Sequence, residues 1–312
     1  MSRSLFLRST LAFAAIVGLA ACGDALGVPS TAQVQVLLTD APSDYVSAAM
    51  VDIGRVELLP ADEGDRIVLS EDGTDGPVDL LDLQGLTTEV LADTEIPAGF
   101  YKELRLIVQS ASVVLAEPYT FRDGAVTAEL RVPSGASSGI KLKLRGEHVS
   151  EGDDPAEVEG ESEEFEGIEI AGGQTILVVD FDVNQSFRLQ GNPETSAGIN
   201  GMSFKPTLRV VVSDLAGSIS GTVSTALADT PVEGLVVKAE TVDPGDVEEF
   251  ETQTATALTD ASGGYTIYFV APGEYSVTVE TPDGLVTTPA SVTVVVEEAG
   301  DVVGVDFEVV AG

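Results

Sequence analysis

Apolar residues recur at every second position through most of this chain, and turn formers cut the alternation into short runs. Val34, Val36 and Leu38 alternate, as do Ile140, Leu142 and Leu144 around Lys141 and Lys143. Tyr265, Ile267 and Phe269 repeat the pattern, then Tyr275, Val277 and Val279. A period of two sends successive side chains to opposite faces of a strand, so each run buries one face. Between the runs stand Ile96-Pro97-Ala98-Gly99, Thr259-Asp260-Ala261-Ser262-Gly263-Gly264 and Ala271-Pro272-Gly273-Glu274, all rich in turn residues. Short strands with turn signals at this spacing predict an all-β chain, with two β-sandwich-like domains in tandem. A length of 312 residues suits two domains, each with its own core.

Further strands are expected at Val51, Ile53, Val56 and Leu58, with an irregularity near Gly54, and over Tyr101–Val108, Thr175–Val183 and Phe204–Val212. Helix competes only over Leu80–Leu91, where at most a turn or two is expected, broken near Gly85. Asp62 to Gly76 reads as an acidic loop. Residues 147–169 carry eleven acidic residues and almost nothing apolar, and read as a solvated excursion between strands. The first domain is expected over 32–213 and the second over 214–312.

The N-terminus reads as an export signal. Arg3 and Arg8 precede an apolar run, Leu11 to Ala21, that is too short for a bilayer span of about 20 residues. Leu19-Ala20-Ala21-Cys22 resembles the bacterial lipobox, in which the cysteine thiol is lipidated and becomes the first residue of the mature protein. Residues 1–21 are then the signal peptide, Cys22 the lipidation site and 22–31 a tether. The anchor would be the chain's membrane partner, since several acyl chains hold firmly where one does not. By a sorting rule familiar from some Gram-negative bacteria, Gly23 in place of Asp favours the outer membrane or cell surface. Cys22 is the only cysteine, so no disulfide is available.

Charge limits the partners. The chain has 52 acidic and 15 basic residues, a net charge of −37. Nucleic acid is disfavoured, because it requires a positive patch. A saline exterior and cation binding both account for the acidity. The single histidine, His148, excludes a zinc site built from several histidines and reads as solvent-exposed.

Two resemblances emerge along the chain. Leu38-Thr39-Asp40-Ala41-Pro42, Pro97-Ala98-Gly99-Phe100-Tyr101, Val132-Pro133-Ser134-Gly135, Val179-Asp180-Phe181-Asp182 and Phe204-Lys205-Pro206 occur in that order. The set resembles the bacterial and archaeal lipoprotein domain known as domain of unknown function 4382. That resemblance implies a β-rich exported domain and no particular activity. From about residue 216, the order Gly-x-Val, Pro-Val-x-Gly-Leu-Val-Val, Thr-Asp-x-x-Gly-x-Tyr, Pro-Gly-x-Tyr is similar to the carboxypeptidase regulatory-like domain. This implies a sandwich related to transthyretin and to starch-binding folds. Its motifs are turn chemistry, which specifies fold far better than function. Gly99-Phe100-Tyr101 and Gly273-Glu274-Tyr275 also echo each other, each following a Pro-containing turn and placing a Tyr at a core edge.

Three features invite a chemical reading. Asp180-Phe181-Asp182-Val183-Asn184 matches the first half of a calcium loop, which makes Asp180, Asp182 and Asn184 the candidate Ca2+ ligands. The second half departs from the pattern at Gln185 and Gly191, and a solvated strand face is the competing reading of the two aspartates. Ser138-Gly139-Ile140-Lys141 has the Ser-x-x-Lys spacing of penicillin-binding enzymes, but the alternation after it is that of a strand and not of the helix that motif needs. For a sugar platform the chain offers no Trp. Tyr265 and Tyr275 are expected inward, which leaves Tyr268 as the exposed ligand contact. The resulting expectation is a lipid-anchored envelope protein with a non-catalytic binding or structural role and no catalytic residues. A calcium-dependent polysaccharide-binding protein is the alternative, and a carboxylate-based hydrolase is the weakest reading. Expected partners are the membrane, through the anchor, and a polysaccharide or an envelope protein.

Overall fold

The computed structural model describes residues 31–41, 45–62, 64–132, 138–144, 167–192, 198–228, 230–242, 252–282 and 284–312. The signal, Cys22, most of the tether, His148 and most of the acidic excursion lie outside the described residues.

The first domain begins with β1 (Thr31–Ala41), β2 (Val46–Pro60), β3 (Ile67–Ser70) and β4 (Val78–Asp79). A 3-10 turn over Leu80–Asp82, capped by the Asp79 carboxylate, leads to β5 (Glu89–Pro97) and β6 (Gly99–Leu115). The short strands β7 (Thr127–Leu130), β8 (Ile140–Lys143) and β9 (Ile168–Ile170) follow, then β10 (Gln174–Asp182). A one-turn helix, α1 (Val183–Ser186), turns the chain into β11 (Phe187–Asn192), β12 (Gly198–Phe204) and β13 (Leu208–Val212).

One sheet has the order β13-β10-β1-β5. A second is built on the long β2–β6 pair, with β3, β4, β7, β8 and β9 along its flanks, and β11 and β12 pair as a separate two-stranded sheet. Val34, Val36 and Leu38 point from β1 into the shared core, where they meet Ile53, Leu58, Leu104 and Leu106. The alternation read from the sequence is therefore the inward face of each sheet. β1 runs parallel to β10 and antiparallel to β5.

A second core gathers Ile219, Val237, Ile267, Val277 and Phe307. Its strands are β14 (Gly217–Thr225), β15 (Val236–Thr241), β16 (Thr254–Leu258), β17 (Gly264–Val270) and β18 (Gly273–Val279). They continue with β19 (Leu285–Thr288), β20 (Val292–Val296), β21 (Asp301–Val302) and β22 (Phe307–Ala311). One sheet has the order β17-β14-β22-β19 with β21 beside β14, and the other has the order β16-β15-β18-β20. Ser213–Leu215, a 3-10 turn, connects the two domains. Its Leu215 carbonyl accepts a hydrogen bond from the Ala299 amide, so the connection is fastened to the second domain.

Several expectations are corrected. The acidic stretch 62–76 is not a free loop. Ile67–Ser70 pairs with β2, and Thr74 is buried with its hydroxyl accepting from the Ile53 amide at 3.0 Å. The acidic excursion ends before residue 169, because Ile168–Ile170 is β9 and pairs with β6. Thr31, assigned to the tether, already belongs to β1. Phe204–Val212 is two strands in different sheets, separated at Lys205–Thr207. Val183 opens α1 and does not continue β10, because Asp182 caps the helix with a carboxylate acceptor.

Candidate functional site

Motifs far apart in the sequence meet at one end of the β1–β10 pair. Thr39 lies beside Asp180 and Ala41 beside Asp182 in the parallel register. The Thr39 hydroxyl donates to the Leu83 carbonyl at 2.8 Å, which ties the 3-10 turn to β1. Asp40 accepts from the Val183 amide at 3.2 Å, and Asp182 accepts from the Gln185 amide at 2.8 Å, so two carboxylates hold the start of α1. Ser186 exchanges hydrogen bonds with Thr207 and accepts at its carbonyl from the Lys205 amide. Phe181, Phe187 and Phe204 pack as a ring cluster beneath, with Phe181 and Phe204 stacked at 6.0 Å. A one-turn helix cannot persist alone. Its anchors are supplied by residues far apart in sequence.

The solvated-face reading of Asp180 and Asp182 is overturned. Both are buried, at 6% and 4% exposure, Asp180 against Arg209 of β13 and Asp182 in the cap of α1. Asp180 faces Arg209 directly across the β10–β13 ladder. The Arg209 Nε and an Nη both reach Asp180 Oδ2, at 2.8 and 2.5 Å. The same guanidinium donates onward to the carbonyls of Phe269 and, at 3.0 Å, Tyr268 on β17 of the second domain. One side chain thus connects a buried carboxylate of the first domain to the backbone of the second. Asp182 is pushed up to about 6, mainly by burial and further by the Asp180 charge, against the pull of the Gln185 hydrogen bonds and Arg209. Lys238 of β15 pairs with Glu280 at 2.8 Å and is also raised. Burial opposes the rise, but hydrogen bonding to Glu280 and the charges of Glu280, Glu240 and Asp182 outweigh it.

Phe269 departs from the alternation expected of Tyr265, Ile267 and Phe269. Tyr265 and Ile267 are buried, but Phe269 sits at φ +52° and Val270 takes the next core position. The β14–β17 register shifts here, which marks a bulge. A bulky residue at positive φ is strained, and the Arg209 contact holds its carbonyl in place. The bulge leaves Tyr268 at the surface, 36% exposed, as the sequence suggests, while Tyr265 and Tyr275 point inward.

A cleft of about 290 Å³ opens where the domains meet. Thr39, Asp40, Gln84, Gly85 and Asp180 line it from the first domain, and Thr256, Leu258, Thr266, Tyr268 and Phe269 from the second. Of the sequence-predicted site residues, Asp180 and Tyr268 are brought together here. Asp182 lies behind them at the helix cap, and Asn184 is held on α1. Among the described residues, no group of three or more His, Cys, Asp or Glu side chains is arranged to hold a metal ion. Lys141 is in β8, a strand, as the reading against Ser-x-x-Lys chemistry requires. The alternation places Arg209 only as a strand residue. The signal was present, because an arginine inside Leu-Arg-Val-Val-Val in so acidic a chain calls for a buried anion.

The family model described as Domain of unknown function (DUF4382) matches residues 31–206, more than half of the chain, and the chain belongs to that family. A Carboxypeptidase regulatory-like domain matches residues 218–310. Both agree with the motifs and with the two cores. No curated protein matches the chain. Among solved structures, it is similar to the minor pilin GBS52 of Streptococcus agalactiae at 10% identity, with 89% of this chain and 97% of that chain covered and a TM-score of 0.23. The major pilin subunit BcpA of Bacillus cereus gives 9% identity, 90% and 100% coverage and a TM-score of 0.22. The pilus-presented adhesin Cpa gives 9%, 90% and 99%, and 0.26. Likeness at that level carries no argument about function. Among the described residues, no helix is long and apolar enough to cross a membrane.

Proposed function

We propose that this protein is a lipid-anchored component of the bacterial cell envelope with a non-catalytic, structural role, in which two β domains act as one unit held out from the membrane by a short tether. The observation that carries the structural reading is the Arg209 bridge. At the meeting of the domains Asp180 pairs with Arg209, and Arg209 donates to the Tyr268 and Phe269 carbonyls of the second domain. The four-residue connection Ser213–Ala216 supports the same reading, since a short, hydrogen-bonded link leaves little freedom between the domains. Anchoring is supported by Arg3, Arg8, the apolar run and Cys22, and an outer-membrane or surface location by Gly23.

The test has two arms. The full chain, expressed with its leader in a Gram-negative host, should incorporate labelled fatty acid and partition into detergent, and Cys22→Ser should remain aqueous and unlabelled. The lipid-free chain from Thr31 should melt in one calorimetric transition whose calorimetric and van't Hoff enthalpies agree. Equal labelling of the Cys22→Ser chain would remove the anchor, and two independent transitions in the wild type would remove the single unit.

A further inference from the structure

We propose that strand β20, at the open edge of the second domain, docks onto the same strand of a second copy of this chain, the two running antiparallel about a twofold axis at Val294. The contact goes beyond the structural role and uses no atom of the Arg209 bridge. An edge strand presents unpaired N–H and C=O groups, and sheets protect such edges with charge, with proline or with a cover. In the first domain the open edges are charged. β5 carries Glu89, Asp93 and Glu95, β8 carries Lys141 and Lys143, and β13 carries Arg209. β3 is uncharged, but it has four residues and stands between Arg66 and Glu71. β12 is uncharged and is met by Phe121 and Arg122, which bond to Ile199. In the second domain the edges are β16 and β20 of one sheet and β17 and β19 of the other, and none of the four carries a charge. Two of them are met by the first domain. β16 packs against β1, and the β17 carbonyls of Tyr268 and Phe269 accept from Arg209. Among the described residues, β19 pairs only with β22 and β20 only with β18. Uncharged edges in this molecule are covered ones, and β20 conforms when a partner covers it.

The backbone at this edge is free to pair. Glu274 and Glu280 bond towards β15, the first accepting from the Val242 amide and the second donating to the Val236 carbonyl. Backbone groups alternate in direction along an antiparallel strand, so Tyr275 and Val277 bond towards Val294 and Val292 of β20. The N–H and C=O groups of Thr293 and Val295 then point out of the sheet. Both residues are exposed, Val295 at 62%. Charge selects the partner. Two chains of net charge −37 repel at long range, so they meet where each lacks charge, and Gly284 to Val296 is a run without any. The uncharged edge that another copy leaves open is the same β20. Antiparallel pairing centred on Val294 sets Thr293 of each copy against Val295 of the other, and each such pair exchanges two hydrogen bonds. It sets Glu297 and Glu298 against the uncharged Ser291 and Ala290, whereas parallel pairing would stack like charges. A contact made by the same patch on both copies closes at the dimer.

Sedimentation velocity of the lipid-free chain from Thr31 should show a monomer–dimer equilibrium, with a Kd on the order of 10–100 µM for so short an edge. Val295→Glu should weaken it at least about tenfold, because it brings two carboxylates together across the axis. Thr293→Pro should do the same, because it removes an outward N–H and none bonded within the sheet. Val295 is exposed and the Thr293 amide faces outward, so Val295→Glu and Thr293→Pro should each keep the Tm of the monomer. The chain from Thr31 has no cysteine, so Thr293→Cys mixed with Val295→Cys should form a disulfide under mild oxidation faster than either variant does with itself. A chain that stays monomeric up to about 1 mM overturns the proposal. So does a dimer untouched by Val295→Glu and Thr293→Pro, or faster cross-linking of either cysteine variant with itself. Growth beyond the dimer would mean head-to-tail contact and overturns it too. None of these outcomes bears on labelling at Cys22 or on whether the domains of one chain melt together.

Discussion

Asp182 holds a proton in the folded chain at acidities where the unfolded chain has released it. Burial raises the carboxyl from 3.8 to about 6. Between about pH 4 and pH 6, folding therefore takes up a proton, and this group's contribution to stability falls as pH rises through that window. Above pH 6 the full cost is present, roughly 2–3 kcal/mol at 1.36 kcal/mol for each unit. Asp182→Asn keeps an oxygen acceptor at the helix cap and removes the charge. In urea titrations the variant should exceed the wild type by about 2 kcal/mol at pH 7, and the two curves should converge as pH falls to 4. A difference that stays constant with pH would mean that Asp182 is ionised throughout. Two tyrosines show the same economy of residues in both domains. Tyr101 donates its hydroxyl to the Pro97 carbonyl at 2.6 Å, and Tyr275 donates to the Ala271 carbonyl at 2.9 Å. Each reaches back to the carbonyl four positions earlier, and burial raises the pKa of both phenols. The echo seen in the sequence is thus a shared hydrogen bond, similar to the tyrosine corner of other sandwiches. Tyr101→Phe and Tyr275→Phe should each cost about 0.5–1.5 kcal/mol in chemical denaturation, because a turn carbonyl loses its donor while the ring still packs. A loss under about 0.3 kcal/mol in both would make the hydroxyl contacts incidental.

At the scale of elements, most of the architecture was legible because alternation is a local signal. Val34, Val36 and Leu38 on β1, and Leu142 and Leu144 around β8, face inward as their spacing requires. The turn before β17 was equally plain. Asp260 accepts from the Ser262 and Gly264 amides and from the Ser262 hydroxyl, and Gly263 takes φ +81° where a side chain would strike the Val223 carbonyl. The failures have separate causes. Asp180 and Asp182 look like a polar strand face until Arg209 and the start of α1 close on them, and that closing is a property of the fold and not of the strand. The bulge at Phe269 could not be read either, because the residue has the right type for its alternating position and only the neighbouring strand reveals the register shift. Pairing of Ile67–Ser70 with β2 was hidden by the acidic residues around it. The cleft was half legible. Tyr268 and Asp180 were singled out for separate reasons, and nothing local placed them together.

For the whole molecule, the Asp180–Arg209 pair does two things that substitution can separate. Within the first domain it neutralises a buried carboxylate, and between domains it supplies donors to the carbonyls of Tyr268 and Phe269. Arg209→Met should lower the stability of the first domain by about 3–5 kcal/mol, because the Asp180 charge is left buried and uncompensated. Adding Asp180→Leu replaces the pair with apolar groups of similar reach and should return the first domain to within about 1 kcal/mol of the wild type. The double variant still lacks donors for the two carbonyls of the second domain. Phe269 then has nothing from the first domain to hold its positive φ. Scanning calorimetry should therefore show one transition for the wild type and two for the double variant, although each domain remains close to its native stability. Two cooperative units with little net loss of stability would place the coupling in the guanidinium–carbonyl contacts. A single transition in the double variant would place it instead in the packing of β16 against β1 and in the Leu215–Ala299 hydrogen bond of the connection, and Arg209 would then be a residue of the first domain alone.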